Sequence, residues 1–155
     1  MRRPLAALLL GLVLPGCSGH GAEGVPVPPP MDMTHLTRPA TANTALAAPA
    51  GFSPAPDIVT HAYAVPPERL YAAIRTVAAA QPRTYPQVAY DDRMQAHFVA
   101  RSAVFNFPDL IAAQVQPDST LILWSRSVYG AGDLGVNRRR LTAWLAALDA
   151  TLAAP

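Results

Sequence analysis

Leu110-Ile111-Ala112-Ala113-Gln114-Val115 and Thr120-Leu121-Ile122-Leu123-Trp124-Ser125-Arg126-Ser127-Val128, separated by Pro117-Asp118, decide the fold of this chain. Both runs are rich in strand-forming residues, and a proline-aspartate turn divides them. Strands joined by so short a turn lie antiparallel, because a parallel pair needs a long crossover. Working outward, Met94 to Phe105 reads as a further strand, broken at Asn106 to Pro108. Tyr85 to Tyr90 reads as another, ending in the turn Asp91-Asp92, and Asp57 to Val65 as the first. Two helices interrupt the series. Pro66-Pro67-Glu68 opens one, since proline suits a first helical turn whose N–H groups lack partners anyway. Leu70, Ile74 and Val77 give it one apolar face, and Pro82 ends it. The second runs from Arg138 to Leu152, with Leu141, Leu145, Leu148 and Leu152 on one side. The expected fold is α+β: a two-layer domain with a mostly antiparallel sheet of about five strands and two helices on one face.

The amino terminus has a different character. Arg2 and Arg3 precede an apolar run, Leu5 to Leu14, which ends in Leu14-Pro15-Gly16-Cys17. About ten helical residues span about 15 Å, half of a bilayer core, so the run is too short to cross a membrane. It has the form of a signal peptide. Its end resembles the lipobox of bacterial lipoproteins, which implies a diacylglycerol on the Cys17 thiol and cleavage just before it. Ser18 resembles the outer-membrane sorting pattern. The expected organisation is a lipoprotein signal peptide (1–16), a lipidated N-terminus with a Pro/Gly-rich tether (17–33), an extended lead-in (34–56) and a single α+β domain (57–155).

Charge excludes some functions. The full chain carries a formal +2, with 12 basic and 10 acidic residues. Removing Arg2 and Arg3 with the signal leaves the two signs balanced, so no charge argument for nucleic acid survives. With the only cysteine spent on the anchor, and His20 and His35 outside the domain, no metal site is expected, and no cofactor. Gly130, Gly132 and Gly135 lack the lysine and spacing of a phosphate-binding loop.

Ser125 to Arg140 is the densest polar stretch. Asn137 reads as a natural helix N-cap. Arg138, Arg139 and Arg140 then fill a first helical turn, the wrong sign for the helix dipole. Either Asp133 pairs with one of them, or an anion sits on the helix N-terminus. By alternation, Arg126 shares a face with Ile122, Trp124 and Val128. An arginine on an apolar face needs a carboxylate, and Asp109 and Asp133 are the candidates. Arg101-Ser102 interrupts an apolar strand in the same way. The candidate ligand-binding set is therefore Arg101, Ser102, Asp109, Ser125, Arg126, Ser127, Tyr129, Asp133, Asn137 and Arg138. Two readings stand: a buried Arg/Asp network that fixes sheet and loop, or a ligand pocket.

Ser125-Arg126-Ser127, the Gly-x-x-Asp-x-Gly-Val-Asn-Arg pattern of Gly130 to Arg138, Arg101-Ser102 and Phe107-Pro108-Asp109 together resemble the domain-of-unknown-function 1499 family. Leu36-Thr37-Arg38-Pro39, Asn43, Leu46, Pro49 and Gly51-Phe52 resemble its lead-in, so the likeness covers roughly residues 34 to 150. The resemblance implies an envelope location and supplies no reaction. The expected role is a non-enzymatic binding or interaction module anchored in the bacterial envelope and facing the periplasm, at the outer rather than the inner membrane. Its partner would be an anionic small molecule, a lipid headgroup or an envelope protein. A second reading is an assembly lipoprotein that docks through Tyr63, Trp124 and Trp144. A third is a serine hydrolase using His61 or His97. It is disfavoured because His97 and Ser102 fall on opposite sides of one strand and no nucleophile elbow is present.

Overall fold

Alternation along one strand sorts the molecule into layers. In the computed structural model, which describes residues 19–154, Leu121 and Leu123 face two helices, while Ile122 and Trp124 face the other way. The elements run β1 (Thr44–Pro49), β2 (Ile58–Thr60), α1 (Pro67–Ala79), β3 (Thr84–Tyr90), β4 (Gln95–Arg101), β5 (Pro108–Val115), β6 (Leu121–Ser127) and α2 (Val136–Ala153). They form one six-stranded sheet in the order β2-β1-β6-β5-β4-β3. Every pairing is antiparallel except the short β1/β2 pair. Both helices lie on one face, giving the α+β architecture that the strand spacing implies.

The main core lies between sheet and helices. Leu70, Ile74 and Val77 of α1 and Leu141, Trp144 and Leu148 of α2 pack on Phe98, Ile111, Leu121 and Leu123. The Trp144 ring meets Phe98 edge-on at 5.6 Å. Each such large side chain removed from water contributes about 1.5–3 kcal/mol.

Two expectations are corrected. The sheet has a sixth strand, β1, inside the segment expected to be an extended lead-in, and it takes an interior position between β2 and β6. Its Ala45, Leu46, Ala47 and Ala48 are all fully buried. Alanine carries little strand propensity, and a strand covered on both faces shows no apolar–polar alternation, so nothing local marks it.

The second correction concerns the tether. From Gly19 onward it lies along the sheet face opposite the helices. Met33 is buried there with Leu46, Ala112, Ile122 and Trp124, and Met31, Leu36 and Phe52 pack around them. A proline-rich strand satisfies none of its own backbone groups. The sheet supplies the partners. Gln87 donates to the Val25 and Pro26 carbonyls, and the Tyr90 hydroxyl to that of Pro28. Arg101 donates to those of Gly21 and Glu23. The Gln95 amide, fully buried, accepts from Met31 N–H and donates to Met31 O, each at 2.8 Å. We call residues 19–33 the arm. The expected signal peptide and the expected lipidation at Cys17 fall on residues outside those described.

Candidate functional site

Ser125, Arg126 and Ser127 point alternately to the two sides of β6, and this divides the expected site into two. The serines face α2 together with Asp109 of β5. There Asn137, fully buried, uses all four of its hydrogen-bonding positions. Its amide nitrogen donates to Asn43 O and to Ser127 Oγ, both at 3.0 Å. Its oxygen accepts from Ser125 Oγ at 2.6 Å and from Arg140 at 2.7 Å. Arg140 also donates to Ser125 Oγ and closes on the Asp109 carboxylate at 2.6 Å. The cluster ties β1, β5, β6 and α2 together at one end of the sheet.

The helix entry differs from the expected one. Asn137 is not the N-cap; Gly135 is, with φ of 75°, and Asn137 is turned inward as the second helical residue. A Cβ at Gly135 would strain the backbone and lie 3.1 Å from an Arg139 guanidinium nitrogen, so glycine is favoured there. Asp133 takes the orphan amides instead, accepting from Gly135 N–H at 2.9 Å and Asn137 N–H at 2.8 Å. Burial alone would raise its pKa. The amides of Asn137 and Gly135 favour the charged form and leave the carboxyl below its ordinary value. The expected Asp133–arginine pair is not formed among the described residues. Asp109 pairs with Arg140, so neither acid serves Arg126.

Arg101 and Ser102 are also spent on backbone. Arg101, buried at the end of β4, holds the arm and donates to Asn106 O at 3.1 Å. Ser102 exchanges hydrogen bonds with Phe107, its hydroxyl accepting from Phe107 N–H and its own N–H donating to Phe107 O.

Arg126 remains. It faces away from the helices, exposed, with no side-chain hydrogen bond or ion pair among the described residues. Two clefts meet at it. One, of about 390 Å³, is apolar: the arm from Gly24 to Pro29 forms one wall, and Pro108, Leu110, Val128 and Tyr129 complete it. The other, of about 560 Å³, is lined by Met31, Asp32, His35, Leu36, Arg38 and Trp124. Arg38 is engaged by Asp57. Of the expected ligand set, Arg126 and Tyr129 thus share a cavity, and Arg138 stands exposed on the first turn of α2.

The remaining residues weighed from the sequence have these places in the fold. Tyr63, Trp124 and Trp144, weighed as docking anchors, are all buried. No serine hydroxyl among the described residues is hydrogen-bonded to a histidine. His97 is buried against Gln95 Oε1 at 3.0 Å, and burial pushes its pKa below the ordinary histidine value. His61 lies at the surface, 3.9 Å from Asp149. The described residues hold no cluster of three or more metal-ligating side chains, and none of their helices is long and apolar enough to cross a membrane.

Residues missing from the expected set prove central. Gln95 and His97 lie with Arg101 on one face of β4, a polar period-two stripe in an apolar strand, and that pattern is the signal for a covering segment. Arg140 pairs with Asp109 where Arg126 was expected to. Compared with curated proteins, the chain matches none. A family model described as "Protein of unknown function (DUF1499)" matches residues 33–148, from the buried Met33 to the last core leucine of α2. The chain belongs to the DUF1499 family.

Proposed function

We propose that this chain is a lipid-anchored protein of the bacterial envelope whose domain binds an anionic amphiphile and performs no chemistry on it. The acid group of the ligand would meet Arg126, and its apolar part would lie in the cleft between the arm and Leu110, Val128 and Tyr129. The observation that carries this reading is the contrast between Arg126 and its neighbours. The other polar groups of the Ser-Arg-Ser and Gly-x-x-Asp-x-Gly-Val-Asn stretch are consumed inside the fold. Arg126, on the opposite face, has no side-chain hydrogen bond or ion pair among the described residues and lies at the junction of two clefts. A concave, mostly apolar site with a single oriented charge suits a ligand of mixed character. The anchored location rests on the Leu-Pro-Gly-Cys17 end of the apolar leader.

Calorimetric titration of the unacylated mature chain (Cys17→Ser) with a long-chain fatty acid, and separately with inorganic phosphate, tests the reading. The fatty acid is expected to bind, and Arg126→Ala to weaken it about tenfold or more, the worth of one charged hydrogen bond. Arg138→Ala is expected to leave binding unchanged. Binding of phosphate alone would keep Arg126 as an anion site and overturn the amphiphile. Equal affinity in Arg126→Ala would overturn both.

A further inference from the structure

One end of the sheet carries most of the apolar surface that the fold fails to bury. Of the nine large hydrophobic residues exposed among the described residues, Val104, Phe105, Phe107, Val128 and Leu134 lie in the β4–β5 loop and the β6–α2 connection, and Val136 opens α2. The antiparallel order β4-β5-β6 puts both at the same end. Val104 is 83 % exposed, Phe105 68 % and Leu134 94 %. The Phe105 and Phe107 rings stack at 5.4 Å, and the Tyr129 ring lies 5.8 Å from Phe107, so the two loops form one surface. Exposed apolar residues gathered at one end of a fold mark an interaction site.

Two observations fix the occupant. The first is where the arm begins. Asn106, within the apolar loop, donates to Gly19 O at 3.1 Å. Cys17 is two residues earlier, and two extended residues reach about 7 Å. A lipid on Cys17 would therefore enter a bilayer beside Val104 and Phe105. The second is charge. Arg83 bonds Asn106 in the same loop, and Arg138 and Arg139 open α2 beside Leu134. The acids at this end offer little opposition: Asp109 is held by Arg140, and Asp133 by the first amides of α2. Glu23 accepts from His20 N–H. Arginines around an exposed aromatic tip match the headgroup region of an anionic bilayer, where aromatic rings settle and basic residues find phosphates.

We propose that this end of the domain is a membrane-docking face: Val104, Phe105 and Leu134 enter the bilayer interface, and the arginines lie at its phosphates. The anchoring part of the function proposed above supplies the orientation. The arm is then no free stalk. It turns back along the sheet and holds the domain end-on, with these loop tips against the membrane.

The test uses the full mature chain as Cys17→Ser, so that no acyl chain contributes, and sedimentation with phosphatidylethanolamine–phosphatidylglycerol vesicles. Weak binding is expected, about tenfold lower in the Val104→Ser/Phe105→Ser variant and lower again in high salt. Both side chains are exposed, so the variant should fold, and its unchanged thermal unfolding would verify that. Equal vesicle binding by the variant, or none by either protein, would overturn the face. So would a dimer abolished by the same substitutions, because a second copy would then be the occupant. Mass spectrometry of protein extracted from native membranes reports separately on acylation. An unmodified Cys17 with intact vesicle binding would refute the anchor and leave the face standing. An acylated Cys17 with indifferent variants would do the reverse.

Discussion

At the scale of single residues, the polar end of the sheet separates structure from function by the side of β6 on which each group falls. Asn137 is buried with four hydrogen bonds, and Arg140 and Asp109 form a shielded pair. Removing either kind of member leaves partners desolvated and unmatched. Asn137→Leu is expected to lower stability by about 3 kcal/mol, and Arg140→Met by about 3–5 kcal/mol, read from urea unfolding. Arg126→Ala should stay within about 0.5 kcal/mol of the parent, because an exposed arginine without partners contributes little. A large loss in Arg126→Ala would make it structural and remove it from the proposed site. Much of this division was legible beforehand: alternation put Arg126 with Trp124, and the motif marked Asp133 and Asn137. Their roles were not. Whether an asparagine caps a helix or turns inward depends on what its first turn packs against, here Asn43, far away in sequence.

At the scale of elements, the arm is the part that sequence reading described least well. Proline-rich and without periodicity, it has the composition of a free linker. What orders it is on the other side of the contact, in the outward residues of β3 and β4. The Gln95 amide matches the Met31 peptide group as a neighbouring strand would. Gln95→Leu is therefore expected to release the arm while leaving the helix-facing core intact. Hydrogen exchange should show faster exchange at residues 25–33 and unchanged protection in β5 and β6. Removing residues up to 33 should go further and uncover Ile122 and Trp124, seen as a red shift of tryptophan emission. Protection unchanged in Gln95→Leu would mean that apolar contacts alone hold the arm. The helices and the strands β3 to β6, by contrast, were recoverable within a few residues, because proline punctuation and apolar spacing act locally. β1 was not, since its pairing with β6 is settled by residues far along the chain.

At the scale of the whole molecule, acidity acts through His97 and Asp133, which the fold shields, besides the exposed Asp32 and Asp118, whose carboxylates hydrogen bonds hold below the ordinary range. Burial depresses the pKa of His97, so below the ordinary histidine value the unfolded chain takes up a proton that the folded one resists. Stability is then complete above about pH 6.5 and declines as pH falls towards the folded value. Asp133 acts in a lower window. Its depressed pKa stabilises the fold above the ordinary carboxylate range, and that contribution is lost as pH falls through the folded value. Thermal unfolding of His97→Gln is expected to lose the first decline and keep the second. A pH profile identical to the parent would show that His97 titrates normally.

The interior position of β1 has a further consequence, for the order in which the protein can be made. Thr44 pairs with Arg126, and Asn137 reaches Asn43 across 94 residues of chain. A polypeptide emerges amino end first, so the arm and β1 leave the ribosome long before β6 and α2 exist. Until then β1 has only the three-residue β2 beside it, and the arm has nothing to lie on. Until β6 emerges the nascent chain therefore carries an unpaired central strand, and folding waits on a long-range closure. Such a chain stays unfolded until β6 and α2 are available. Late folding of this kind suits the export proposed above, in which the chain crosses a membrane before it folds.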